Sequence, residues 1–310
     1  MGFFEALIDI FTSDSTYINA ALFAALLLFA ATGEWVAERA GTINISVEGM
    51  LLSGAFTTAV GYDLTESAVL AILAGICGGL IVALVQAEMS HRLSADQFVV
   101  GLTLNILVLG LTGFLDREIN PKTKIVDTWN IPLLSDLPLI GQALFGQPWP
   151  FYLLYVLVPV SGWMVYRTRF GLDVRAAGEN PQSADVSGID VNKRRRQAIY
   201  YAGFTSGLGG AFLILVQVGQ FEESIVGGRG FIAIAAVIFG GWTIRGTIAG
   251  CILFAAALSF RLSIQGLGYQ LNSELLQSLP FLVTIVAMAF FAHRVRPPAA
   301  LAQPFVRGLE

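Results

Sequence analysis

The residues of this chain best placed to do chemistry lie between 34 and 56, EWVAERAGTINISVEGMLLSGAF, where a charged cluster runs directly into an apolar segment that still carries Asn44 and Glu48. An acidic side chain at the centre of a bilayer costs roughly 2.5–3.5 kcal/mol on insertion scales, so such a group faces a protein interior, a water path or a partner. Asn44 and Glu48 are therefore candidates for a polar path through an apolar structure. A second reading stays open, in which 34–49 is an interfacial loop and Glu48 is solvated at its edge. Gly41, Gly49 and Gly54 favour a broken or re-entrant helix over a smooth span.

The elements that must position these groups follow from composition. The chain has 310 residues, 55% hydrophobic and 13% charged, with a mean hydropathy of +0.70. A soluble domain carries about a quarter charged residues. Here the few charges are gathered into short clusters between long apolar runs, which describes an integral membrane protein and leaves no soluble domain of useful size. The net charge of −4 is too small and dispersed to name a partner, and nothing in it suggests nucleic acid. Cys77 and Cys251 lie in apolar segments and read as small buried hydrophobes. The N-terminal stretch carries Glu5, Asp9 and Asp14 without a basic region, so no cleaved signal peptide is expected.

The expected fold class is all-α: one polytopic transmembrane helical bundle over 1–310, with about eight to ten membrane segments including short or broken helices. The clear spans are 18–36, 67–88, 97–115, 151–167, 198–218 and 275–293. Residues 43–61 form a glycine-rich span, 230–262 reads either as two short helices broken near Arg245 and Gly246 or as one span beside a re-entrant piece, and 3–12 suits an interfacial amphipathic helix. Gly75 and Gly79, Gly203 and Gly207, and Gly246 and Gly250 form G-x-x-x-G pairs suited to close helix crossing.

Basic residues orient the bundle. The segment 168–197 holds Arg169, Arg175, Lys193, Arg194, Arg195 and Arg196, the densest positive cluster, and is expected to be cytoplasmic. The same reasoning puts 89–96, the cluster at Glu38 and Arg39, and the tail 294–310 on that side. The proline-rich segment 116–150 is then the external loop, and the N-terminus is external. Within the basic loop, Asn180 before Pro181 reads as a turn, followed by a short helix over Gln182–Val186 that ends near Gly188. Such a helix, charged on both flanks, suits docking into a groove on a soluble partner, while Lys193–Arg196 also suits anchoring at anionic lipid.

Catalysis finds little support. There is no G-x-x-x-x-G-K-[ST], H-E-x-x-H or G-x-S-x-G sequence. His91 and His293 both fall at expected helix ends, where a solvated or interfacial role is expected. An ion-coupled transporter needs membrane-embedded carboxylates, for which Glu48 and Glu88 are the candidates.

Three segments, GTINISVEGMLLSGAF, RAAGENPQSADVSGIDV and GGRGFIAIAAVIFGGWTIRGTIAG, in that order and spacing, resemble the permease subunits of bacterial ABC importers for nucleosides and simple sugars. These belong to the superfamily that also holds the branched-chain amino acid permeases. The likeness covers about residues 20–293 and is greatest to the nucleoside type, through ERAGTINISVEGM. It implies a multi-pass protein of the cell (inner) membrane that forms a translocation path and works with a separate ABC ATPase subunit, a second permease subunit and an external substrate-binding protein. It implies a coupling helix on the ATPase, with Gly178, Glu179, Asn180, Pro181, Ala184 and Gly188 at that contact. It also implies that Asn44, Glu48 and Arg229 line or flank the path. No catalytic residue, metal or cofactor is expected in this chain, ATP and magnesium belonging to the partner.

Overall fold

The computed structural model describes residues 11–138, 140–266, 282, 285 and 296–307. Every regular element among them is helical. In chain order these are α1 (Asp14–Arg39), α2 (Val47–Thr65), α3 (Ala68–His91), α4 (Gln97–Ile119), α5 (Gly141–Phe145) and α6 (Leu153–Arg167), which a 3-10 turn over Trp149–Tyr152 precedes. They continue with α7 (Arg169–Glu179), α8 (Pro181–Val186), α9 (Val191–Phe212) running on through a π-helical turn at Leu213–Val218, α10 (Arg229–Phe239) and α11 (Ile244–Gly266).

Six stretches among the described residues are long and apolar enough to cross a membrane: 14–39, 68–91, 97–119, 149–167, 191–218 and 244–264. The expected span 275–293, with His293, and most of the expected helix at 3–12 lie outside the described residues. Polar caps fix where several helices begin. Asp96 accepts from the backbone N–H of Phe98 and Val99, and Asp190 accepts from Lys193.

In a bilayer an apolar side chain gains little by leaving lipid, so helices associate where backbones can approach and pack. The centre of this bundle is such a crossing. A Cβ on Gly79 of α3 would lie 2.8 Å from the Cα of Gly207 in α9, and one on Gly54 of α2 would lie 2.8 Å from the same atom. A side chain forced into a packed crossing costs about 1–3 kcal/mol or more. Gly79→Leu is therefore expected to abolish the monodisperse peak in detergent size-exclusion chromatography. Gly110→Ala, at a position with nothing within 4 Å of an added Cβ, should leave that peak unchanged.

Three elements depart from the sequence expectation. Helix α1 continues to Arg39 and carries Glu34 and Glu38 into the interior, where they are 0% and 1% exposed. The break in 230–262 falls at Gly240–Thr243, just before Arg245, where Gly241 and Trp242 both take positive φ. The basic segment holds a helix, α7, ahead of the short one at Pro181.

One end of the molecule gathers Ala40–Thr42, His91, α7, α8 and residues 296–307. The opposite end gathers Asp63, the segment after α4 and residues 219–223. There Lys122 N donates to Asp63, Arg117 pairs with Glu223 at 3.2 Å, and Val126 N donates to Leu215 O at 2.8 Å.

Candidate functional site

The polar chemistry of the bundle sits at its helix breaks, because a break frees backbone groups that water would satisfy in a soluble protein and side chains must satisfy here. The first break, Gly41–Ser46, separates α1 from α2. Ile43 N donates to Gln97 Oε1 at 2.8 Å, Asn44 N donates to Glu34 Oε1 at 3.2 Å, and Thr42 N donates to Ala37 O at 3.2 Å. Asn105 grips both sides of the start of α2: its Nδ2 donates to Ile45 O and its Oδ1 accepts from Gly49 N, each at 2.8 Å. Thr42 Oγ1 donates to Gln97 Oε1 at 3.0 Å and lies 2.8 Å from His91 Nε2.

Asn44 is fully buried at this break. Its Oδ1 accepts from Ser46 Oγ at 2.8 Å, and its Nδ2 points at Met50 Sδ at 3.5 Å. These contacts turn the amide inward and hold the chain's exit from the break.

Glu48 spans two of the three sequence motifs. Its Oε1 accepts from Gly228 N and its Oε2 from Gly230 N, each at 2.7 Å. Those donors are the free N–H groups at the start of α10, a half-length helix beginning inside the bundle, and a carboxylate complements both the donors and the positive end of the helix dipole. The GGRG sequence suits this contact. Gly227 and Gly228 take φ of +56° and +83°, and a Cβ on Gly230 would lie 2.7 Å from Glu48 Cα. Arg229 lies near enough to Glu48 for charge attraction, with its guanidinium 5.4 Å from the ring centre of Phe23 on α1 and its Nη1 donating to Ile225 O at 3.4 Å. The structure thus joins Glu48 to the Arg229 segment through the backbone and leaves Asn44 in a separate network.

The break between α10 and α11, Gly240–Thr243, is held from α1. Trp242 Nε1 donates to Glu38 Oε2, and Trp35 Nε1 donates to Trp242 O at 2.8 Å. Glu34 and Glu38, one turn apart, therefore pin one break each. They join Glu48 as carboxylates held inside the bundle, which the sequence expectation, naming only Glu48 and Glu88, did not include. Glu88 is half-buried and tied by Arg196 Nη1 at 2.9 Å and Tyr200 OH at 2.8 Å, with Arg92 3.5 Å away. His91 is corrected: it is 5% exposed and belongs to the first break.

The helix pair α7–α8 projects at the end that carries the basic cluster. Thr168 caps α7 through Gly171 N, and Asn180 caps α8 through Ser183 N at 2.9 Å, with Pro181 in the first turn where its missing N–H is not needed. Gly178 is buried on α1, where an added Cβ would strike Arg39 O. Pro181 and Ala184 also face inward, Ala184 among Ala177, Val191 and Phe305. Glu179, Asn180 and Gly188 are exposed, and Glu179 lies 3.8 Å from Arg39. Sequence reasoning missed Val186, which is 90% exposed at the tip of α8. A valine at the end of a polar loop helix is the signal that could have marked it.

The broken helices, the buried polar pins and the projecting helix pair define a multi-pass membrane transport protein. The chain belongs to the family described as branched-chain amino acid transport system / permease component, whose family model matches residues 16–288. It is 33% identical to the nucleoside ABC transporter permease protein NupC of Lactococcus lactis subsp. cremoris, over 91% of this chain and 93% of that protein. It is 32% identical to the guanosine ABC transporter permease protein NupQ of Bacillus subtilis, over 93% and 95% respectively. The ribose import permease protein RbsC of Escherichia coli is 25% identical over 70% of this chain and 67% of that one. The chain is accordingly an ABC importer permease, a multi-pass protein of the inner membrane.

Proposed function

We propose that this permease carries nucleosides, energised by a separate ATPase subunit that docks on α7–α8. The substrate class rests on the two relatives named for nucleosides and guanosine, which align over nearly the whole chain. The docking surface rests on one observation: Val186 stands 90% exposed on a capped, rigid helix tip whose inner face is packed on the protein itself. An exposed apolar knob on a rigid element suits a pocket on a soluble partner. ATP and magnesium act in that partner, which changes the position of α8, and the bundle converts the movement into opening on one side or the other. A second permease subunit completes the path, and an external binding protein delivers the substrate.

Proteoliposomes holding the purified complex should take up labelled guanosine and uridine when ATP is supplied to the ATPase. Uptake driven by a proton gradient without that subunit would overturn the reading, and uptake of leucine or free ribose instead of nucleosides would overturn the substrate class. Val186→Glu should weaken association with the ATPase by about tenfold, the usual weight of one good apolar anchor. Its own chromatographic profile should stay unchanged. Ala184 is the poorer probe, because a bulky residue there disturbs α8's seat on its own protein before it reaches any partner.

A further inference from the structure

Among the described residues, Arg195 is the largest charged side chain that is fully buried, at 0% exposure. A buried guanidinium needs compensation, and no ion pair among the described residues supplies it. Its partners are backbone carbonyls from two distant segments. Nε donates to Ala40 O at 3.1 Å, Nη1 to Gln303 O at 2.6 Å, and Nη2 to Ala300 O at 3.3 Å. Ala40 ends α1, so the charge also sits at the negative end of that helix dipole.

The segment that Arg195 holds, 296–307, does not hang free. Ala300 N donates to Gly178 O at 2.9 Å, at the end of α7, and Ala302 N donates to Gly41 O at 3.2 Å, in the first break. Asn192 Nδ2 donates to Phe305 O at 3.2 Å, Phe305 packs on Ala177, Ala184 and Val191, and Arg307 pairs with Asp185 of α8 at 3.2 Å. One short stretch therefore touches the first break, both helices of the projecting pair and the start of α9.

We infer that residues 296–307 form a strap that fixes α7–α8 against the break after α1, and that Arg195 is the positioning residue that locks it. The inference rests on the docking role proposed for α8. Its consequence is that a force applied at α8 reaches the Gly41–Ser46 break through hydrogen bonds as well as through the chain. Lysine cannot do the same work: its single ammonium cannot present three donors along a fixed fork to three separated carbonyls.

Amide exchange on the purified full chain and binding of the ATPase subunit test this with separate readouts. In Arg195→Gln, exchange should rise about tenfold or more both at 299–303 and at 176–188, because local opening replaces a held conformation. Affinity for the ATPase should fall about tenfold, with Arg195→Lys intermediate. Faster exchange at 299–303 with none at 176–188 would overturn the strap, and an unchanged affinity when both regions loosen would overturn its link to docking. If Arg195→Gln yields no folded protein, the Asn192→Ala/Phe305→Ala pair, which loosens only the outer half of the strap, must raise exchange at 176–188 for the inference to stand. Failure of the unaltered chain to bind the ATPase would sink the docking role, while the exchange data would still decide the strap.

Discussion

Glu48→Ala is expected to lower the thermal midpoint of the purified protein and abolish uptake, with Glu48→Gln doing less of each. The carboxylate is the partner of two backbone donors, Gly228 N and Gly230 N, at the inner end of α10. Alanine removes the partner of both, at about 1–3 kcal/mol for the N–H of buried Gly230 and less for that of half-buried Gly228. It also removes the negative charge that complements the helix start. Glutamine keeps one acceptor oxygen but turns an NH2 group toward the other donor, so it retains part of the cap. Both losses act on the same event, the loosening of α10 from α2, so stability and uptake should fall together and alanine should be the worse substitution. A Glu48→Ala protein with an unchanged midpoint and no uptake would instead mean that the carboxylate meets the cargo directly.

Glu48 also shows how far the sequence could be read. Its cost in an apolar segment was legible from residue type alone, and the glycines around it announced a broken helix. Its partner was not legible, because Gly228 lies 180 positions away and nothing local records that an inner helix end needs a carboxylate. Glu34 and Glu38 were hidden for a related reason. Hydropathy along a segment places charges at a span's edge in the interface, whereas the end of α1 is covered by α10, α11 and the first break. The run from Lys193 to Arg196 was read as one basic cluster. On a helix successive residues point about 100° apart, so the cluster divides. Lys193 is exposed, Arg194 pairs with Asp173 at 2.7 Å, Arg195 is buried, and Arg196 pairs with Glu88 at 2.9 Å. The expected spans 18–36, 67–88, 97–115, 151–167 and 198–218, by contrast, each match a long apolar helix, because such a run needs no distant partner to declare itself.

The buried carboxylate Glu38 gives the second large effect, and here the choice of substitute separates two explanations. Trp242 sits at φ +53° in the turn between α10 and α11. A left-handed conformation costs a bulky residue about 1–2 kcal/mol, so the turn must be held from outside. Helix α1 holds it twice, through Glu38 accepting from the indole N–H of Trp242 and through the indole N–H of Trp35 donating to Trp242 O at 2.8 Å. Glu38→Gln keeps an oxygen in reach of the indole and should stay near the unaltered stability. Glu38→Leu orphans that N–H at about 1–3 kcal/mol and should release the turn, lowering the thermal midpoint and uptake together. If the bond is the cause, Trp242→Phe must remove most of the difference between the unaltered protein and Glu38→Leu, and a double-mutant cycle should return a coupling of about 0.5–3 kcal/mol. Should glutamine prove as damaging as leucine, the negative charge of Glu38, and not its hydrogen bond, would be what the turn requires.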